Sequence, residues 1–354
     1  MIGFQYLAIS IKATQPVAEL ERNSEIPPAY RRIIGPSHIQ IWRVPPDSEK
    51  GTIGGKPSLA MIICHDWGTI KSLRWCPIPR KINDEKELGH LACVGGDGVV
   101  RVIRVPVPHT DSEEETVFVK IDKPLFEGRL QEALCTCVTW TSTHEIAAGC
   151  SNGFAVVWDL RHAISHGNNI GGNVFPPHHY LMLHQTYIMD IQSCYPSYPK
   201  TIITSSMDGY CRATSLHDPQ ADTILTGRSR LSSPAVVWAD CIHTVLASED
   251  GGWVKMYPLR RLWTSTSVAR QSQGGVVLNL AGSKCHPFVL SCGGDGEVVL
   301  FNPLRKTFYG KIVSFFLPFY LPSDLTPGYP PPSFYFQFQY RNNFNFMMLT
   351  NPEK

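Results

Sequence analysis

The sequence predicts an all-β fold assembled from repeated hairpins, and three observations predict it. The first is a shape shared by five segments: LACVGGDGVVRVIRV (91–105), IAAGCSNGFAVVWDL (146–160), IITSSMDGYCRATSL (202–216), VLASEDGGWVKMYPL (245–259) and VLSCGGDGEVVLFNPL (289–304). In each, an apolar run meets an Asp-Gly or Asn-Gly step and a second apolar run follows. That step is the strongest short-range hairpin signal, because a two-residue hairpin turn asks for positive φ at both central positions. The second observation is the period. The turn residues Asp97, Asn152, Asp208, Asp250 and Asp295 follow one another at 55, 56, 42 and 45 residues, close to the ~40–45 of a four-stranded propeller blade with insertions. The third is an apolar strand upstream of every hairpin. Together these predict a β-propeller of the WD-repeat type with about six to seven blades.

The elements follow in order. YLAIS (6–10) and HIQIWRV (38–44) read as the second and third strands of a first blade that is partial, because only five residues precede them. The upstream strands of the later blades are IKSLRWCP (70–77), LCTCVTW (134–140), IMDIQSC (188–194), AVVWADC (235–241) and VVLNLAG (276–282). YLMLH (180–184) reads as an outer strand. Strands covered on both faces by neighbours need not alternate strictly, and VVRVIRV and FAVVWDL do not. Insertions at 11–37, 109–120 and 161–179 read as surface loops; the second opens on an acidic run and the third is rich in Gly, Asn and His. The propeller is expected to span 1–310. Residues 311–354 form an irregular tail rich in Phe, Tyr and Pro, read either as disordered or as an ending foreign to the propeller.

Composition narrows the function. Charged residues are 18% of the chain and the net charge is +2, so overall charge makes no case for nucleic-acid binding. The 11 cysteines are odd in number and irregularly spaced. Cys93, Cys150, Cys211 and Cys292 fall inside predicted strands, where Cys behaves as a small hydrophobe, which fits a reducing compartment. The apolar start MIGFQYLAIS lacks a basic n-region and a cleavage site, so no signal peptide is read. IVSFFLPFYL (312–321) is ten residues with an internal Pro, too short to span a bilayer.

Candidate functional residues divide into structural and partner-facing sets. A WD blade is held by a His before the first strand, a Ser or Thr in the second, an Asp in the turn and a Trp in the third. The candidates are His65 with Asp97, and His184 with Ser205 and Asp208, with Trp42 and Trp158 at third-strand positions. Buried carboxylates need such partners, so these Asp residues read as structural. Cys135-x-Cys137 lacks a second pair at zinc spacing, and His178, His179 and His184 read as a solvated loop cluster. GxSxG, Walker, HExxH and helix-opening GxGxxG motifs are absent. GGDG at 95–98 and 293–296 sits in hairpin turns, where there is no helix N-terminus for a phosphate. The sequence therefore predicts no enzyme, no metal and no cofactor. Trp67, Trp263, Arg260, Arg261 and Arg161 are the candidate partner-binding residues, because Trp and Arg dominate interface energetics.

HDWGTIKSLRWCP (65–77) followed by LACVGGDGVVRVIRV resembles the WD-repeat subunit of transcription factor IIIC, the RNA polymerase III assembly factor. The family's early blade opens with a His-x-x-Gly step and a strand ending in Trp-Cys-Pro, as Trp75-Cys76-Pro77 does here. YLAIS, HIQIWRV and ALCTCVTW…IAAGCSNGFAVVWDL are similar in order and spacing, so the resemblance spans roughly 5–305. It implies a non-catalytic nuclear scaffold that pairs with a second WD-repeat subunit. With a large DNA-contacting subunit, the two recognise the internal B-box promoter of tRNA genes, so that DNA contact is indirect and no membrane or small-molecule substrate is involved. The family's long charged N-terminal extension is missing from this sequence, and the tail after about 310 does not resemble the family's. A second reading rests on Trp158-Asp159-Leu160-Arg161, which looks like the WDxR step by which substrate receptors dock on the cullin-4 ubiquitin ligase adaptor.

Overall fold

The computed structural model describes residues 5–11, 30–47, 52–53, 56–77, 87–108, 116–121, 123–161, 163, 176–271, 275–283, 286–294, 296–305 and 313–316. Its strands form six four-stranded sheets and one small two-stranded ribbon, Pro46–Asp47 with Thr52–Ile53. The fold class is all-β, and the six sheets are the blades of a WD-repeat β-propeller. They fall into two compact units, one built on strands within 5–128 and the other on strands within 135–316.

The first unit holds two sheets. Sheet 1 runs Gln5–Ile11, Ser37–Val44, Ser58–His65 and Val117–Lys120. YLAIS and HIQIWRV are thus first and second in their sheet, not second and third. The third strand, SLAMIICH, carries no Asp-Gly step before it. The fourth strand pairs parallel with the third, Met61 opposite Val117 through Cys64 opposite Lys120. It comes from the chain that follows the third strand of sheet 2. The link from His65 to Ser72 is too short to supply it, since a strand needs about 3 Å per residue and the chain must also turn. Sheet 2 runs Ser72–Trp75, Glu87–Val94, Val100–Pro106 and Phe126–Gly128, all antiparallel. One core joins the two sheets, with Ile39, Ile41, Met61 and Ile63 packed with Leu73, Leu91 and Ile103.

The second unit holds four antiparallel meanders. Sheet 3 is Cys135–Ser142, Glu145–Cys150, Phe154–Asp159 and His179–Met182. Sheet 4 is Ile188–Ser193, Thr201–Ser206, Cys211–Ser215 and Thr223–Leu225. Sheet 5 is Val236–Ala239, Thr244–Glu249, Trp253–Pro258 and Thr266–Arg270. Sheet 6 is Val277–Gly282, Val289–Gly293, Glu297–Phe301 and Val313–Phe316. The last strand lies beyond residue 310, so the tail begins with a sheet element; residues 317–354 lie outside the described residues.

Packing explains the continuous apolar runs. Ile202 belongs to the core between sheets 3 and 4, and its neighbour Ile203 to the core between sheets 4 and 5. Val236 and Val237 divide in the same way between the sheet 4–5 and sheet 5–6 cores. Successive side chains point to opposite faces, and both faces are covered. The fourth strand of sheet 3 has a neighbour on one side only. Its His179 and Leu181 are partly buried, while Tyr180 and Met182 are exposed.

The hairpin turns differ from the expected type. Gly98, Gly153, Gly209 and Gly296 have φ of 75°, 86°, 85° and 81°, and the only non-Gly residues with positive φ among those described are Lys200 and His243. Each of these glycines donates its N–H to the carbonyl three residues back, on Gly95, Cys150, Ser206 and Gly293. In the turns of Gly98, Gly153 and Gly209 this is a type I turn with a left-handed Gly at its fourth position, so Asp97, Asn152 and Asp208 keep an ordinary backbone. The acidic or amide side chain then caps the turn. Asp97 Oδ1, Asn152 Oδ1 and Asp208 Oδ1 accept the N–H of Val99, Phe154 and Tyr210 at 3.2, 3.3 and 3.0 Å. Asp295 and the Asp250 side chain lie outside the described residues. In sheet 5 a 3-10 turn, Asp250–Gly252, takes the place, with both glycines at positive φ.

Candidate functional site

The buried polar groups mostly hold strands together. In sheet 4, His184 Nδ1 lies 2.9 Å from Asp208 Oδ2 and Nε2 lies 2.8 Å from Thr204 Oγ1. Burial outweighs the pull of Asp208 and lowers the His184 pKa, so the ring is neutral. An ionised carboxylate can only accept, which assigns the proton to Nδ1 and makes Nε2 the acceptor of the Thr204 hydroxyl. Burial alone would raise Asp208; the N–H groups of Tyr210 and Gln185, with His184, outweigh it and hold the carboxyl low. The Thr that completes this set is Thr204, not Ser205. Adjacent strand residues face opposite sides, and Ser205 Oγ is buried without a partner.

The corresponding turn of sheet 2 is held by an arginine. Arg101 Nη1 and Nη2 donate to Asp97 Oδ1 and Oδ2 at 3.0 and 2.6 Å, and Nη2 also reaches Glu127 Oε1 at 3.1 Å. His65, expected to partner Asp97, instead accepts the Trp67 N–H on Nδ1 at 3.3 Å and stacks on the Trp67 ring at 4.7 Å. The Arg101 guanidinium lies 4.6 Å from the centre of the same ring. Burial first, then Arg101, push the His65 pKa down to about 4. In the sequence Arg101 shows only as one of two arginines, with Arg104, in an apolar run four residues after the turn Asp.

In the second unit, staples also pass from sheet to sheet. Thr136 Oγ1 donates to Ile188 O at 2.6 Å, joining the first strands of sheets 3 and 4. Asp190 Oδ2 accepts the Val236 N–H at 3.1 Å, joining those of sheets 4 and 5. The turn glycines also bind the chain leaving the fourth strand. Gly153 O accepts from His184 N–H at 2.9 Å, Gly209 O from Ser229 at 2.8 Å, and Gly252 O from Gln271 at 3.0 Å. Glu145, 4% exposed, pairs with Lys200 and accepts from Thr141 Oγ1 at 2.6 Å. Nothing in the sequence marks this pair, which joins a strand of sheet 3 to the loop just before Thr201.

One of the two expected third-strand tryptophans moves. Trp42 lies in the second strand of sheet 1, half-buried, with Nε1 donating to Gln40 Oε1 at 3.0 Å; it is not a third-strand residue. Trp158 does lie in a third strand, 1% exposed. Cys135 faces Cys150 across the first pair of strands in sheet 3, and hydrogen bonding to it, followed by burial, raises the Cys150 pKa. No group of three or more His, Cys, Asp or Glu comes together for a metal among the described residues.

Of the partner-facing candidates, Trp67 is half-buried and engaged by His65 and Arg101. Arg161 is exposed one residue beyond the buried Leu160. Arg260 and Arg261 are exposed on a 3-10 turn, Leu259–Arg261, and Trp263 beside them is 65% exposed. These three fall within four consecutive residues.

Repeated meander sheets, Asx-capped Gly turns and a His–Asp–Thr staple define a protein of the WD-repeat β-propeller class. The comparisons are more specific. The chain is 28% identical over 281 residues to the transcription factor tau subunit sfc6 of Schizosaccharomyces pombe, covering 78% of this chain and 44% of that protein. It is 23% identical over 253 residues to the transcription factor tau 91 kDa subunit of Saccharomyces cerevisiae, covering 70% and 34%. The resemblance seen at 65–105 thus extends over most of the chain, and the chain spans less than half the length of these curated relatives. No protein-family model matches. Among solved structures, a chain of the mitotic checkpoint complex superposes with a TM-score of 0.49 at 12% identity, over 77% of this chain and 76% of that one.

Proposed function

We propose that this chain is a non-catalytic scaffold subunit of transcription factor IIIC (tau), acting in the nucleus through other subunits of that complex. The observation that carries the reading is the 281-residue similarity to a tau subunit, together with a second tau subunit matching 70% of the chain. The site chemistry agrees with it, because the acidic and imidazole groups described above are engaged in hydrogen bonds that hold strands. The finer reading follows the family: pairing with a second WD-repeat subunit, and indirect contact with the B-box of tRNA genes through the assembled complex. The cullin-4 receptor reading rests on the four residues ending at Arg161 and gains nothing from either relative.

The test is affinity purification of the tagged full-length protein from its own cells, followed by mass spectrometry and by chromatin occupancy at tRNA genes. Recovery of the remaining tau subunits with tRNA-gene occupancy is expected. Recovery of the cullin-4 adaptor in their place, lost on Arg161→Ala, would overturn the proposal.

A further inference from the structure

The turn that follows the third strand of sheet 5 is ordered yet turned outward. Leu262 is fully buried and Leu259 packs on the same core. Thr264 closes the turn, its N–H and its hydroxyl both donating to Arg261 O at 2.9 Å. Between these anchors the chain displays Arg260, Arg261 and Trp263. Trp263 is 65% exposed, unusual for the side chain with the most to gain from burial. Among the described residues, no carboxylate lies within ion-pair distance of either arginine. Elsewhere in the second unit, Lys200 and Lys255 each have a glutamate.

From this arrangement we infer that the 259–264 turn is a docking hot spot for an acidic segment of a partner polypeptide. Two guanidiniums offer bidentate sites for two carboxylates, and the indole beside them takes an apolar residue flanking those acids. Trp and Arg at the centre of a small patch are the composition that carries most interface energy. The buried anchor and the closed turn present them already ordered, which lowers the cost of binding. Duplex DNA fits less well. Its affinity comes from neutralising many phosphates, about 6–10 in a typical site, and two arginines on a chain of net charge +2 fall short of that. The inference takes from the subunit reading only that a protein partner exists.

The experiment replaces Trp263 with the photocrosslinker p-benzoylphenylalanine in the full-length protein, purified with its native complex in the presence of labelled tRNA-gene duplex. Irradiation is expected to join residue 263 to a polypeptide, with at least two Asp or Glu within about six residues of the mapped attachment. Adding Arg260→Glu and Arg261→Glu is expected to cut the crosslink at least tenfold with an unchanged melting temperature, while Arg260→Lys and Arg261→Lys retain part of it. A crosslink to DNA, a crosslink insensitive to charge reversal, or none in an assembled complex would overturn the inference. The subunit reading is judged separately, by which proteins co-purify.

Discussion

Gly153 and Gly296 share a backbone conformation, with φ of 86° and 81°, and differ in surroundings. A Cβ on Gly296 would meet nothing within 4 Å, whereas one on Gly153 would lie 2.2 Å from His184 O and 2.7 Å from its carbonyl carbon. Gly296→Ala is therefore expected to cost only the left-handed penalty, about 1–2 kcal/mol. Gly153→Ala carries the same penalty and must also push the His184 backbone back by at least about 1 Å to reach van der Waals separation. That motion breaks the hydrogen bonds from the Leu183 and His184 N–H groups to Gly153 O, at 3.2 and 2.9 Å, each worth about 1 kcal/mol net. It also carries the imidazole away from Asp208 and Thr204. Gly153→Ala is thus expected to be destabilising by about 2–3 kcal/mol more than Gly296→Ala. Urea unfolding of the two full-length variants beside wild type measures the difference, and hydrogen exchange at 183–184 locates it. Equal costs would refute the claim that the turn glycine is required by close approach to the strand that follows.

Three further outcomes are expected. His65 is held at about 4 in the folded protein against 6.5 ordinarily, so its contribution is full above pH 6.5 and is lost as the pH falls toward 4. Linkage makes the loss between pH 7 and pH 5 about 2 kcal/mol before solvent screening reduces it; the acid slope of urea stability in His65→Asn should be shallower than wild type by up to that amount, and an identical slope would exclude His65 as its source. Asp190→Ala leaves the Val236 N–H buried and unpaired, and should lower stability by about 1–3 kcal/mol, with exchange protection lost at Val236. Arg161→Ala should leave tau-subunit co-purification unchanged, as measured by quantitative mass spectrometry.

Legibility followed the distance over which each signal acts. The later hairpins announced themselves because an Asp-Gly or Asn-Gly step is local and an αL glycine has few substitutes. The turn type was not legible, because Asp-Gly serves both a two-residue turn and the type I turn with a terminal Gly. Sheet 1 is hidden in the sequence for a related reason. The chain between its second and third strands, 45–57, has prolines and glycines but no Asp-Gly step, so no local signal marks Ser58–His65 as a hairpin partner. Its fourth strand arrives from beyond the third strand of sheet 2, and a pairing of Val117 with Met61 leaves no mark on neighbouring residues. Within the candidate sites, strand parity decided between Thr204 and Ser205, and sequence spacing alone does not fix parity across a bulge such as the one at Ile188–Asp190.

The allocation of polar residues bears on function. His184, Asp208, Asp190, Thr136, Arg101, Asp97 and Glu145 are each tied to another strand or turn. These hydrogen bonds bind the buried polar groups into the framework of strands and turns. Burial raises Cys93 to about 12 and Cys292 to about 11, which keeps both thiols protonated and unreactive at neutral pH. A fold that covers both faces of its inner strands has room for variation in its loops. The Arg260–Trp263 turn is such a loop: its anchor belongs to the core and its tip does not. Substituting Leu262 should therefore disturb folding and binding together, whereas substituting Arg260, Arg261 or Trp263 should separate them.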